Sequence, residues 1–385
     1  MRITKFLTTT LVIGASTSAW AVDDPASINL AGFEFTPQLA VSESYDDNYR
    51  GMNENAQSSW VTGISPEFLL TAETRKAGYQ LGYSLDHEIF HSDSEATNTD
   101  HHLFLKSVME FTARHRLGWN LEHHRVEDTS DTETITENDK YSSTIAGAAY
   151  RFGADRARNQ LEFGTRFEAR RYHNSGTINA DEERDSLMVN GIWYHRLGGR
   201  TRSLVELRQT EHDYKRRGST RDATDTAVLV GASLDATAKL SGSVRVGAAK
   251  KDFDSDLRDD YSSPMWEANL TWKPRTYSIF TLDARRAFDE GDNGAATVEN
   301  VSTQLGWRHE WTSRIATELD YRLADKEYEG IGRQDDRTSY GAAVVYSPDR
   351  WIDVTLGYRY TDNDSNFEQE SYERNVYLLG FEMSL

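Results

Sequence analysis

The sequence has no cysteine. A thioether-linked lipid anchor, disulfides and thiolate metal sites are therefore excluded. It has only six prolines in 385 residues. Beyond the N-terminus it has no apolar run near the ~20 residues that a membrane helix needs. It lacks a GxSxG nucleophile turn and a glycine-rich phosphate loop, so the usual serine-hydrolase and P-loop chemistries have no carrier. Basic residues are few, 43 against 62 acidic, for a net charge of −19. That balance argues against a nucleic-acid partner. Mean hydropathy is −0.70, the value of a soluble protein. The average misleads for a transmembrane β-barrel, where outward apolar residues alternate with inward polar ones.

The first residues, MRITKFLTTTLVIGASTSAWA, combine Arg2 and Lys5 with a short apolar stretch and the small-x-small triplet Ala19-Trp20-Ala21. This pattern predicts a signal peptide over residues 1–21, cleaved after Ala21. Residues 22–32 are then expected to be a short periplasmic segment, and 33–385 the folded body.

From Phe33 onward the dominant pattern is strict alternation, the period of a strand with two unlike faces. "WEANLTW" sets Trp266, Ala268, Leu270 and Trp272 against Glu267, Asn269 and Thr271. "IDVTLGYRY" sets Ile352, Val354, Leu356, Tyr358 and Tyr360 against Asp353, Thr355, Gly357 and Arg359. About eighteen such segments are predicted, with sixteen as the alternative, starting near residues 33, 59, 79, 101, 115, 141, 160, 186, 201, 226, 240, 264, 277, 298, 315, 339, 351 and 374. The connections alternate between short and long, the long ones expected at about ten to fourteen residues. A soluble sandwich has no reason for this; an outer-membrane barrel has short periplasmic turns and longer external loops. The predicted fold is all-β: a transmembrane, antiparallel, up-and-down barrel in a Gram-negative outer membrane.

Three further features agree. Each short turn carries a base, such as Arg75, Lys76, Arg114, Arg200, Lys239, Arg314 and Arg350, whereas the long loops are mostly acidic. One loop, "DYKRRGSTRD" from Asp213, is basic. Tryptophans cluster towards strand ends, as in aromatic girdles. The last strand, "VYLLGFEMSL", places Tyr377, Leu379, Phe381, Met383 and Leu385 on one face, with Gly380 between them. It resembles the C-terminal targeting strand of outer-membrane proteins, with Leu385 where an aromatic residue is usual. A Leu-Gly-aromatic triplet recurs at 81–83, 117–119, 305–307, 356–358 and 379–381. Its inward glycines are expected to let a curved sheet bend.

"HEIFH" at 87–91 fits the zinc-peptidase pattern H-E-x-x-H. The pattern works on a helix, where the two histidines lie on one face about 6 Å apart. Here the surrounding alternation makes a strand, with the histidines about 13 Å apart and Glu88 on the other face. One zinc needs each ligand within ~2.1 Å, so no peptidase site is expected. His87, His91, His101, His102, His123 and His124 are expected near the external end of neighbouring strands, as interfacial side chains. The acidic loop at Asp252, Asp254 and Asp256 lacks the glycine and closing glutamate of an EF-hand. No catalytic residue, metal site or cofactor is expected.

Parity points Arg166, Arg170, Arg208, Arg245, Arg285, Arg308, Arg322 and Arg359 inward, together with Glu162, Glu168, Glu206, Glu267, Asp283, Glu310, Glu318, Asp320 and Asp353. These are the candidate lumen-lining residues. They are expected to pair across strands and to set the selectivity of a channel.

"FTPQLAVSESYDDNYRG", "WVTGISPEFLLTAE" and "YQLGYSLDHEIFHSD" resemble the start of the putative beta-barrel porin 2 family, through Pro37, Tyr45, Asp46, Asp47, Asn48 and Pro66. The resemblance implies export of exopolysaccharide or capsule. The reading is a non-enzymatic channel for a hydrophilic solute, with polysaccharide export foremost. A passive diffusion porin and a non-conducting surface barrel or adhesin are the alternatives. Expected partners are outer-membrane lipid and lipopolysaccharide, the barrel-assembly machinery and periplasmic polysaccharide-export components.

Overall fold

The computed structural model describes residues 27–129, 138–176, 179–234, 239–291 and 294–384. The predicted signal peptide and the terminal Leu385 lie outside the described residues. A short strand, β1 (Ile28–Leu30), turns at Ala31 and Gly32, both with positive φ, and pairs with the start of the next strand. Eighteen long strands follow: β2 (Phe33–Asp46), β3 (Ser59–Glu73), β4 (Ala77–Phe90), β5 (Asn98–Thr112), β6 (His115–Asp128), β7 (Asp139–Phe152), β8 (Asn159–Tyr172), β9 (Arg184–Gly198) and β10 (Thr201–Tyr214) in the first half. The second half holds β11 (Ala223–Leu234), β12 (Leu240–Phe253), β13 (Tyr261–Arg275), β14 (Ser278–Glu290), β15 (Thr297–Thr312), β16 (Ile315–Tyr328), β17 (Arg333–Asp349), β18 (Ile352–Ser365) and β19 (Tyr372–Ser384).

Each long strand pairs antiparallel with the next, and β19 pairs with β2 from Val376↔Asp46 to Ser384↔Gln38. The ring is thus a closed eighteen-strand barrel. Strands ~4.8 Å apart and tilted ~40° close to a backbone circle about 36 Å across. Closure leaves no sheet edge among these strands, the condition for crossing a bilayer.

The faces follow the alternation. Trp60, Leu103, Phe163, Leu207, Val246, Trp272, Leu356 and Tyr377 are large and exposed, on the outer face. Register fixes this face: Leu207↔Val228 and Trp272↔Phe280 pair outward residues with outward residues. Pro66 also lies on the outer parity, and the β3–β4 ladder skips from Ile64 to Glu67 around it, because proline has no N–H to give.

The connections at 74–76, 113–114, 199–200, 276–277, 313–314 and 350–351 are short, as expected. Of the opposite ones, 47–58, 129–138 and 173–183 have the expected length, and the others are shorter than the sequence suggested. Residues 329–332 alone join β16 to β17, and 91–97 join β4 to β5. The strands run past the ~9–11 residues that cross the bilayer and keep their ladders into the external rim. Polar residues there made the strand ends look like loop. The basic loop after β10 is also explained. Lys215 bridges Asp185 and Asp213 at 2.7 Å each, and Arg221 holds Glu182 at 2.6 Å.

The seam between β19 and β2 is held at its external end by the "YDDN" motif. Arg374 donates to Asp46 (Nε–Oδ2 2.9 Å), Asn375 donates from its side chain to Asp47 (2.8 Å), and Asn48 Nδ2 donates to the Glu373 carbonyl (2.9 Å).

Candidate functional site: the inner wall

Inward side chains gather in clusters along the wall. One lies on β10, β12 and β13. Arg208 donates to both Glu206 (Nε–Oε1 3.0 Å) and Glu267 (Nη1–Oε1 2.7 Å). Arg245 completes the set at 3.3 Å from Glu206 and 3.2 Å from Glu267. Asn190 Nδ2 donates to Glu206 at 3.1 Å. The Glu206 residue is fully buried beneath the two guanidiniums. Under this layer sit inward apolar residues, Leu229 and Met265 with Ala227, both larger side chains buried. Ile192, Tyr194 and Leu204 form a second such patch on β9 and β10. Alternation alone missed these inward apolar residues. The run Ala227-Val228-Leu229-Val230, apolar on both parities, was the available signal.

A second cluster spans β16 to β18. Arg359 grips Asp320 with two bonds, 2.8 and 3.2 Å, and Arg322 Nε lies 3.2 Å from the same carboxylate. The pair reaches over Gly341 on β17, where a Cβ would overlap the Asp320 carboxylate and press on Arg359 Nη2 at 3.2 Å. Arg308 pairs with Glu318 on the next strand. On β8, Glu168 takes Arg166 at 2.9 Å and Ser143 Oγ at 2.8 Å, with Arg170 at 3.6 Å. The Arg170 guanidinium lies 4.7 Å from the Tyr141 ring centre. Arg151 donates to Glu162, Arg285 pairs with Asp289, and Asn269 donates to Asp283. Glu310 and Asp353 join none of these clusters. They sit near the periplasmic turns, Asp353 opposite Glu382. The candidates are spread over the height of the wall, from Asp353 to Arg170, instead of forming one ring.

Each of these pairs joins residues of one strand or of strands no more than three places apart in the ring. Within these clusters each arginine is neutralised by a neighbouring carboxylate. Inward glycines supply the space: Phe104 covers Gly82, and Asn190 occupies the place a Cβ on Gly164 would need. Gly82 belongs to the Leu-Gly-aromatic repeat, so its absent side chain makes room for a neighbour.

The histidines do not form one group. His87, His101 and His123 pair across the ladders with Ile64, Leu85 and Leu103 on the outer face, and His91 follows on the same parity. His102 and His124 face inward, directly opposite each other. Their common neighbour Glu122 has Oε2 at 3.6 and 3.5 Å from the two Nε2 atoms. A second mixed group joins His212, Asp225 and Glu290, with Lys251 between the carboxylates at 2.6 Å from Glu290 and 3.3 Å from Asp225. Among the described residues these are the two groups of three side chains whose ligand atoms converge. The acidic loop residue Asp252 instead pairs with Lys250.

At the external rim, Arg50 and Asp93 lock two loops together at 2.7 Å, with Tyr49 donating to Asp93 at 2.9 Å. Burial raises the Asp93 carboxyl, but Arg50, the Glu95 amide and Tyr49 outweigh it and hold the group below its ordinary value.

The sequence model described as "Putative beta-barrel porin 2" matches residues 23–385. No curated protein sequence matches. Among solved structures, OpdL of Pseudomonas aeruginosa is 12% identical, with 92% of this chain and 100% of that one covered and a TM-score of 0.48. The outer-membrane protein OpdK of the same organism is 10% identical, with 91% and 99% covered and a TM-score of 0.48. The FrpB iron transporter of Neisseria meningitidis (F5-1 variant) is 12% identical, with a TM-score of 0.49; 86% of this chain is covered, and it spans 62% of that protein.

Proposed function

Because the chain belongs to the putative beta-barrel porin 2 family and folds as a porin-like outer-membrane barrel, we propose that it is a channel for a hydrophilic solute, with exopolysaccharide or capsular polysaccharide export as its role. The observation that carries the reading is that each candidate inward arginine is paired with a carboxylate of the same wall. Eighteen-strand barrels are wide enough for an aqueous lumen. A hydroxyl-rich polymer must meet polar groups that bind it weakly and at many points, because a conducting wall cannot hold its cargo. Arg208, Arg245 and Glu267 bond among themselves and to the buried Glu206, and Arg359 bonds to Asp320, so the partly exposed members offer a passing sugar hydrogen bonds without an unpaired charge. Lipopolysaccharide at the acidic rim, the barrel-assembly machinery and periplasmic export components are the proposed partners.

The test is deletion of the gene with assay of surface polysaccharide, alongside single-channel recording of the refolded barrel. Loss of surface polysaccharide with a measurable conductance supports export. Normal polysaccharide with reduced uptake of small solutes replaces it with passive diffusion. A barrel with no conductance under any ion gradient overturns the channel itself.

A further inference from the structure

We propose that His102, Glu122 and His124 form a site for a divalent transition-metal ion of the zinc type, on the inner wall near the external end of the barrel. The three come from two adjacent strands. His102 on β5 faces His124 on β6, and Glu122 lies two residues before His124 on the same face. The Glu122 oxygen stands 3.6 and 3.5 Å from the two Nε2 atoms. Ligands ~2.0–2.2 Å from a tetrahedral zinc are about 3.4 Å from one another, so both edges already have the required length. The imidazole rings stack at 4.0 Å with 11° between planes. They must splay for both nitrogens to point at one ion. Their side chains are 29% and 28% exposed towards the lumen, which leaves them room to turn.

The carboxylate is held for this role. Asn120 Nδ2 donates to Glu122 Oε1 at 2.9 Å, and Lys106 Nζ lies 3.5 Å from the same oxygen. The other oxygen is left to the histidines. Asn120 in turn occupies the place a Cβ on Gly147 would take. The Nε2 atom of His102 is buried and has no hydrogen-bond partner. That nitrogen is in ion-pair contact with Glu122 at 3.6 Å, longer than a full hydrogen bond. The surroundings favour a cation: Asp86 and Asp100 face each other across β4 and β5, beside Glu67 and Glu88 on the same face. Lys106 is the opposing charge. The second convergent group is a useful contrast, because Lys251 there already supplies the cation.

Two imidazoles and one carboxylate suit zinc, copper or nickel better than calcium or magnesium. Three protein ligands leave a fourth position for water or a donor atom of a solute. The "HEIFH" stretch takes no part: its histidines face outward on the neighbouring strand.

The experiment uses the full chain refolded in detergent, with folding of each variant checked by its heat-modifiable migration. Zinc binding is measured by calorimetry, and Co²⁺ is used as a visible probe of coordination. One ion per barrel is expected, with affinity falling as pH drops and the histidines protonate. H102A/H124A should abolish binding and E122Q should weaken it about tenfold or more. K106M should tighten it, and H87A/H91A should leave it unchanged. No stoichiometric zinc binding to the wild-type barrel, or equal binding by folded H102A/H124A, would overturn the proposal. Weaker binding by K106M, or loss of binding in H87A/H91A, would place the ion elsewhere and overturn it as well.

Discussion

Gly341→Ala should destabilise the barrel, although adding a methyl to a strand glycine ordinarily does the reverse. At a site with free space, Gly→Ala stabilises by about 0.4–1 kcal/mol through the unfolded chain. Gly341 has none: its new Cβ would overlap the Asp320 carboxylate beneath the Arg359 bridge. Asp320 would have to swing away, breaking two charge-assisted bonds of 2.8 and 3.2 Å. Such bonds contribute ~1.5–3 kcal/mol when well buried. Here the two side chains are 21% and 30% exposed, so about 1–2 kcal/mol is the fair figure after screening. Subtracting the gain from the methyl leaves a net loss of about 1 kcal/mol, or roughly fivefold in the folded-to-unfolded ratio. The control is Gly118→Ala, whose nearest neighbour, the Ser107 carbonyl, is 3.9 Å away. Urea unfolding of the refolded protein, followed by tryptophan fluorescence, should show the two variants moving in opposite directions. Asp320→Ala added to Gly341→Ala should cost little more, since the pair is already broken. A Gly341→Ala barrel at least as stable as wild type would refute the idea that the glycine is there to seat the ion pair.

Three other outcomes follow from the same geometry. Glu206→Gln leaves Arg208 and Arg245 to share the single carboxylate of Glu267; it should cost about 1–2 kcal/mol and shift the reversal potential towards anion selectivity in planar bilayers. Lys251→Met strips the ammonium from the pocket of Asp225, Glu290 and His212 and should cost about 3–5 kcal/mol at neutral pH, read as a lowered urea midpoint. The Asp93 carboxyl titrates below its ordinary value in the folded rim, so its bond to Arg50 stabilises above the unfolded carboxyl's pKa and is lost as pH falls through the folded one. Asp93→Asn should therefore lower Tm at pH 7, and the gap from wild type should close below about pH 4.

Much of this architecture could be read from alternation, because period two has no competing explanation over so long a chain. It assigned faces well: Arg208, Glu267, Asp320 and Arg359 all have inward register partners. What parity cannot supply is the neighbour. That Arg208 reaches Glu267 three strands away depends on the registers of β10–β11, β11–β12 and β12–β13 together. The same limit hid the metal candidate. "HEIFH" drew attention to spacing along one strand, whereas His102 and His124 meet across two. Nor could charge tell strand from loop above the membrane. The β17 residues Arg333 to Thr338 read as loop because they are polar, yet they continue the ladder with β16.

The "YDDN" clasp bears on how the barrel is made. Asp46 and Arg374, like Asp47 and Asn375, are 328 positions apart. Nearly the whole chain must be delivered before the last pairing can begin. Until then β2 presents one raw edge and β19 the other, each with a row of unmet amides and carbonyls that hydrocarbon cannot satisfy. Joining them is the longest loop closure in the molecule and has the least local help. A patch of side-chain bonds at the tip of that joint is therefore suited to act as a latch: it does little to bring the edges together, but once they meet it slows their parting. Weakening it should show first in the lifetime of the closed barrel, and much less in the rate at which closure is reached.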